Sequence, residues 1–217
     1  MDRLLVRLMA SAMVGIMATV LAAEQGGTAI KLPAPQTEGG MPLMAALKAR
    51  CSTRAFSSKP LPLQVLSNLL WAACGVNRPE SGKRTAPTAR NMQEIDVYVA
   101  LAEGLYLYNA KEHVLEPVLM QDLRAATGRQ AFVAEAPVNL IFVSDYDKMG
   151  NIPTEAKDFY SATDTGYISQ NVYLFCASEG LATVVRNMVD KPALAEKMGL
   201  RPTQKVILAQ TVGYPKE

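Results

Sequence analysis

The chain has 217 residues, 49% of them hydrophobic and 19% charged, and 22 Lys+Arg against 20 Asp+Glu leave a net charge of +2. That suits one well-buried α/β domain and is too short for two, and no basic run or aromatic-interleaved patch offers a groove for nucleic acid. The single histidine, His113, excludes a multi-histidine metal site, and Cys51, Cys74 and Cys176 show no Cys-x-x-Cys spacing, so no metal site is expected.

Residues 1–23 have the order of a secretory signal: basic Arg3 and Arg7, an uncharged run from Leu8 to Leu21, then Ala22-Ala23 before Glu24. The run is shorter than the roughly 20 residues a membrane span needs. A signal peptide cleaved near Ala23 is expected, with an uncleaved anchor as the alternative. The mature protein is then periplasmic or secreted, with no stable membrane anchor. No cysteine follows the site for a lipid, and no Arg-Arg pair marks the twin-arginine route. Residues 24–41, with Gly26-Gly27, Pro33, Pro35 and Gly39-Gly40, read as a flexible lead-in. The domain proper is expected over residues 42–217.

Within it, Met41 to Leu47 predicts a helix that delivers Arg50 at its C-terminal end. Pro62 opens a second helix carrying Val65, Leu66, Leu69, Leu70 and Ala73, with Gly75 as its stop. Residues 76–90 lack periodicity and read as a loop. Ile95–Ala100 alternates as a strand, and Gly104–Tyr108 with Val114–Pro117 predict a hairpin whose turn contains His113. Val138–Val143 is a continuous apolar run suited to a central strand. A long helix over Asp158–Glu179 comes next, with Gly180 at its left-handed C-terminal position. Val184-Val185 predicts a short strand, Pro192–Met198 a helix ended by Gly199, and Lys205–Val212 the last strand. Apolar groups on more than one face of Ile168–Phe175 suit a core or a subunit interface. Trp71, Phe159 and Tyr160 fall in the same class, and Cys176 reads as a small buried hydrophobe. A Cys51–Cys74 disulfide stays open in an oxidising compartment.

The chemistry concentrates in Arg50-Cys51-Ser52-Thr53-Arg54. Two permanently charged forked donors flank a hydroxyl, which suits a phosphate; the alternative is a solvated helix end. Arg50-x-Ser52-x-Arg54-x-Phe56 resembles the opening motif of the FMN-dependent nitroreductase family. Pro87-Thr88-Ala89-Arg90-Asn91-Met92-Gln93 resembles that family's Pro-Ser-x-x-Asn-x-Gln loop. Asp164-Thr165-Gly166, Gln170-Asn171 and Gly180-Leu181 resemble its central helix, and Val212-Gly213-Tyr214-Pro215 its terminal strand and turn. These landmarks stand in order over residues 50–215. The short single-domain form also resembles the SagB-type azoline dehydrogenases.

The resemblance implies an α+β nitroreductase-like fold, a central mixed, mainly antiparallel sheet flanked by helices. It further implies a homodimer with one FMN in each of two interface clefts. Arg50 and Ser52 match the phosphate ligands, with the Cys51 backbone between them, and Arg54 matches the cation at the ribityl chain and pyrimidine edge. Pro87, Thr88, Ala89 and Asn91 match the loop that approaches the partner's flavin. Val185, Arg186 and Asn187 match the stretch whose backbone N–H groups face flavin N5 and O4, although Asn187-Met188 stands where many relatives have Gly. Gln130 is a further candidate for the ring edge, and Lys216 or Lys205 for the phosphate. No side-chain catalyst is implied, because the chemistry is carried by FMN between a small-molecule electron donor and acceptor. An exported protein would meet little NAD(P)H. The alternative function is a non-catalytic flavin-binding or scaffold protein on the same fold.

Overall fold

The computed structural model describes residues 27–216; the expected signal, residues 1–23, lies outside them. In chain order the elements are β1 (Ile30–Lys31), α1 (Leu43–Ala49), α2 (Leu63–Cys74), β2 (Val76–Arg78), β3 (Lys83–Arg84), β4 (Ile95–Ala100), β5 (Leu105–Asn109), β6 (Val114–Leu119), α3 (Phe132–Glu135), β7 (Val138–Asp145), α4 (Thr154–Ser178), β8 (Ala182–Arg186), α5 (Lys191–Lys197) and β9 (Gln204–Gly213). Seven strands form one sheet in the order β1-β6-β5-β4-β7-β9-β8. Its pairings are all antiparallel.

All eight residues of β7 are buried, which a strand tolerates only with both faces covered. Ile168, Val172 and Cys176 of α4, spaced by four, cover one face together with α2. Burying each of the first two contributes about 1.5–3 kcal/mol. Leu194 and Met198, from α5 and its end, close the other face over Ile141 and Val143. Gly180 ends α4 at φ 67°, which lets Leu181 N–H return to Cys176 O at 2.8 Å. Gly199 ends α5 in the same way at φ 65°.

Several expectations are corrected. Residues 27–41 do not hang free: Ile30 and Lys31 pair with Leu115 and Val114, Leu32 is buried, and Ser67 Oγ donates to Pro33 O at 2.6 Å. The 76–90 loop contains a bulged two-stranded hairpin, β2–β3. The long helix begins at Thr154, four residues early, where Pro153 fits the helix start. Much of the apolar surface of Ile168–Phe175 serves this chain's own core; the exposed large groups of α4 are Phe159 and Tyr167. Cys51 is exposed and Cys74 buried, both as free thiols, so no disulfide joins them. Burial pushes the Cys74 thiol up to about 11. His113 does occupy the hairpin turn, at φ 52°, and its ring also meets Tyr108 OH at 2.9 Å and Ser67 Oγ at 2.7 Å. It thereby ties the lead-in to the sheet.

Candidate functional site

Helix α1 ends at Arg50, whose N–H still bonds Ala46 O at 2.9 Å while its ψ of 121° turns the chain outward. The next segment is extended and lies along β8 and the C-terminal residues. Thr53 N–H donates to Thr183 O at 3.0 Å, Phe56 pairs with Pro215, and Lys216 N–H donates to Ala55 O at 3.2 Å. Extended backbone alternates its side chains. Arg50, Ser52 and Arg54 therefore share one face, and Cys51 and Thr53 the other, where Cys51 Sγ lies 3.6 Å from Thr53 Oγ1.

The first face meets Tyr173 of α4. Ser52 Oγ is 2.7 Å from Tyr173 OH, Val185 N–H donates to the same hydroxyl at 3.1 Å, and the Arg50 guanidinium sits 5.3 Å over the ring. Three residues singled out from sequence thus converge on a tyrosine that was not. Among the described residues neither Arg50 nor Arg54 has a carboxylate partner. An unpaired guanidinium beside a hydroxyl, with a second two residues along the same face of an extended segment, suits a phosphate.

Strand β8 is the sheet edge, with β9 on one side only. The outward N–H of Val185 is taken by Tyr173. Further along, Asn187 N–H has no backbone acceptor among the described residues. Arg129 N–H donates to Met188 O at 3.2 Å, which sets Gly128-Arg129-Gln130 beside Asn187-Met188. Gln130 is therefore near this strand end, while its own carbonyl accepts from Val133 N–H.

The Arg186 side chain goes the other way, into the interior. It donates to Thr127 O at 2.7 Å, Thr211 Oγ1 at 2.8 Å and Asn139 Oδ1 at 2.9 Å, with no carboxylate in reach. Burial lowers its pKa to about 10, so it stays charged at neutral pH. Its guanidinium is a structural group.

The Pro87–Gln93 loop is a second cluster. Arg90, Asn91 and Gln93 have φ of 54°, 55° and 50°, left-handed conformations that cost non-glycine residues energy. Two carboxylates hold them there. Ala89 N–H donates to Asp164 Oδ2 at 2.9 Å, Thr88 Oγ1 donates to Glu94 Oε2 at 3.0 Å, and Gln93 N–H donates to Thr88 Oγ1 at 3.1 Å. Burial, reinforced by neighbouring Asp164, pushes the Glu94 pKa up. Asp164 precedes Tyr173 by nine residues on α4, about 14 Å at 1.5 Å per residue. One chain therefore keeps Pro87, Thr88, Ala89 and Asn91 away from the Arg50 cluster.

Two other candidates are engaged elsewhere. Lys205 pairs with Asp158 at 3.7 Å and covers the Tyr146 ring, and Lys216 pairs with Glu135 at 3.9 Å. A cleft of about 980 Å³ is lined in part by Lys59, Arg124, Tyr214 and Lys216. There Lys59 lies over the Tyr214 ring, Arg124 is bound to Asp122 and Lys216 to Glu135. Tyr173 and Glu94 escaped the sequence reading. The only local signal for Tyr173 was its place two residues after Asn171.

Comparison with known proteins bears on the family and the fold. The pattern of the nitroreductase family matches residues 47–214. A nitroreductase-like protein of Methanocaldococcus jannaschii is 32% identical over 168 residues, covering 73% of this chain and 84% of its own. A solved nitroreductase-like structure from Ralstonia eutropha is 46% identical with a TM-score of 0.84, covering 88% of this chain and 93% of that one. At 19% identity, which shows the fold alone, a Vibrio harveyi NADPH:FMN oxidoreductase solved with NAD+ has a TM-score of 0.61 and covers 81% of this chain and 69% of its own. The ordered motifs, the antiparallel sheet and these matches agree: the chain belongs to the nitroreductase family and is an oxidoreductase.

Proposed function

We propose that the protein is an FMN-dependent oxidoreductase of the nitroreductase type, in the short branch that includes SagB-like dehydrogenases. The convergence of Arg50, Ser52 and Val185 on Tyr173, with both guanidiniums unpaired, carries this reading. The residues fit FMN better than a dinucleotide, because the phosphate site is compact and the chain has no Gly-x-Gly-x-x-Gly fingerprint. When bound, the flavin supplies hydride or electron transfer between a small-molecule donor and an acceptor taken in turn.

The chain's own residues bind and tune. Arg50 and Ser52 hold the phosphate. Arg54 would supply a fixed cation beside the ring, which would favour negative charge there. Asn187 N–H, free along the β8 edge, is the donor for the ring's N5 side, since Val185 N–H is engaged. The strained loop carrying Thr88 and Asn91 serves the flavin of a second copy, which makes the active unit a homodimer. Exposed Leu43, Met44 and Leu47 on α1 and Phe159 and Tyr167 on α4 supply its apolar contact. If residues 1–23 direct export, the donor is an organic substrate or redox partner in place of NAD(P)H.

The absorbance spectrum of purified protein and the identity of the released cofactor test the reading. Arg50→Ala should weaken FMN binding by about 1.5–3 kcal/mol, the range for a hydrogen bond to a charged group. A colourless protein that takes up no FMN, or a folded Arg50→Ala variant with unchanged affinity, would overturn it.

A further inference from the structure

Three hydrogen-bonding groups from three separate elements stand in a row beside Arg50. Val185 N–H comes from β8, the Tyr173 hydroxyl from α4 and the Ser52 hydroxyl from the segment after α1. The first can only donate, and it donates to Tyr173 OH at 3.1 Å. A tyrosine hydroxyl has one proton. Having accepted from Val185, Tyr173 is free to give that proton to Ser52 Oγ at 2.7 Å. Ser52 then keeps its own proton for a ligand. The backbone amide cannot reverse, so a ligand that accepts at Ser52 aligns every donor in one direction, and each bond polarises the next. The outlet lies on the face of Arg50, whose guanidinium rests on the Tyr173 ring and has no carboxylate partner. Such a row suits an anion.

We propose that Tyr173 is a positioning residue for a phosphorylated ligand: its hydroxyl directs the Ser52 proton outward and its ring carries Arg50. The proposal rests on the FMN reading above and deepens it. Because the row ends at the phosphate, it should separate FMN from riboflavin, which has the same ring and no phosphate.

Tyr173→Phe keeps the ring beneath Arg50 and removes only the link in the row. Dissociation constants for FMN and riboflavin, measured by flavin fluorescence, are compared for wild type, Tyr173→Phe, Ser52→Ala and the double variant. One neutral hydrogen bond converts to a loss of about 3- to 10-fold in FMN affinity for Tyr173→Phe, with riboflavin unchanged. The orphaned Val185 N–H lowers Tm in free and bound protein alike, so it does not enter that ratio. The double variant should bind FMN no more weakly than Ser52→Ala. Unchanged FMN affinity, or equal losses for both flavins, would overturn the proposal. Should Tyr173→Phe fail to fold, Ser52→Ala tests the outlet of the same row, and an equal loss of both flavins there refutes it. Wild type is measured first: if it binds neither flavin, the cofactor reading falls and takes this proposal with it.

Discussion

Adding one methyl group at Gly128 should destabilise this protein at least as much as deleting the charge that methyl would strike. Gly128 has φ of 178°, an extended backbone that any residue adopts, so alanine brings no conformational penalty there. Its Cβ would, however, stand 2.0 Å from Arg186 Nη1 and 3.2 Å from Val133 Cγ1. The guanidinium must move, and that Nη1 is the atom that donates to Thr127 O at 2.7 Å. A cation already buried without a carboxylate then loses partners while remaining buried, which costs about 3–5 kcal/mol. Arg186→Met instead removes the cation. Two or three charge-assisted bonds are lost, but so is the cost of holding a charge out of water, and Thr211 Oγ1 still has Asn139 Oδ1 at 2.6 Å. The net loss should be about 2–4 kcal/mol. With the guanidinium gone, the methyl added by Gly128→Ala has only a flexible neighbour, so the double variant should match Arg186→Met within about 0.5 kcal/mol. Urea unfolding at fixed protein concentration measures all three, provided the m-values agree. A Gly128→Ala protein within about 1 kcal/mol of wild type, or strict additivity in the double, would refute this account of the Arg186 nest.

Gly166→Ala should act in opposite directions on the helix and on the proposed dimer. Nothing lies within 4 Å of the Cβ position, so alanine stabilises α4 by about 0.5–1 kcal/mol, yet it should weaken association if a partner helix crosses there; an unchanged dimer dissociation constant in analytical ultracentrifugation would count against that crossing. Glu94→Gln keeps an acceptor for Thr88 and has no proton to lose. The folded-state pKa of Glu94 is raised above its ordinary 4.5, so its contribution is full below that value and is lost as pH rises through the shifted one. Urea midpoints on the alkaline side should therefore fall less in Glu94→Gln than in wild type, and parallel curves would exclude the carboxyl as the cause. His113→Asn tolerates φ of 52° but removes the ring from Tyr108, Ser67 and Pro33, at about 1–2 kcal/mol. Burial lowers the His113 pKa below its ordinary 6.5, so its contribution is present above that value and fades as pH falls through the lowered one. Limited proteolysis should cut residues 27–36 faster in this variant, and equal cutting rates would show that the ring does not tie down the lead-in.

The elements legible in sequence were those whose own pattern determines them. Ile95–Ala100 alternates and Val138–Val143 is apolar throughout, and both are strands. Gly180 and Gly199 mark helix ends because few other residues take their left-handed conformation. Hidden elements depend on distant partners. Two residues, Ile30 and Lys31, cannot announce a strand, and they become one because β6 presents an outer edge. Residues 76–84 contain Asn77, Pro79 and Gly82 and look irregular. They close as a hairpin where Arg78 Nη2 reaches across to Arg84 O at 2.7 Å.

The same distinction divides the site. Arg50 and Ser52 could be read because one pentapeptide contains both. Tyr173 could not, since the hydroxyl that completes its environment is 121 residues away in sequence. Its apolar helix pointed to the core, and the side chain is indeed buried, yet its ring also underlies Arg50 and its oxygen meets Ser52 and Val185. Arg186 poses the converse problem. Its position in the motif series directed attention to the flavin side, whereas period-two alternation along β8 aligns it with buried Ala182 and Val184, and the side chain follows them inward. The two faces of β8 consequently share one electrostatic sense. Behind the strand lies a cation with no carboxylate partner, and in front of it stand a row of donors and the unpaired Arg50. The donors and Arg50 in front of the edge suit an anion, whereas the buried arginine behind it spends its donors on Thr127, Asn139 and Thr211 and serves the fold.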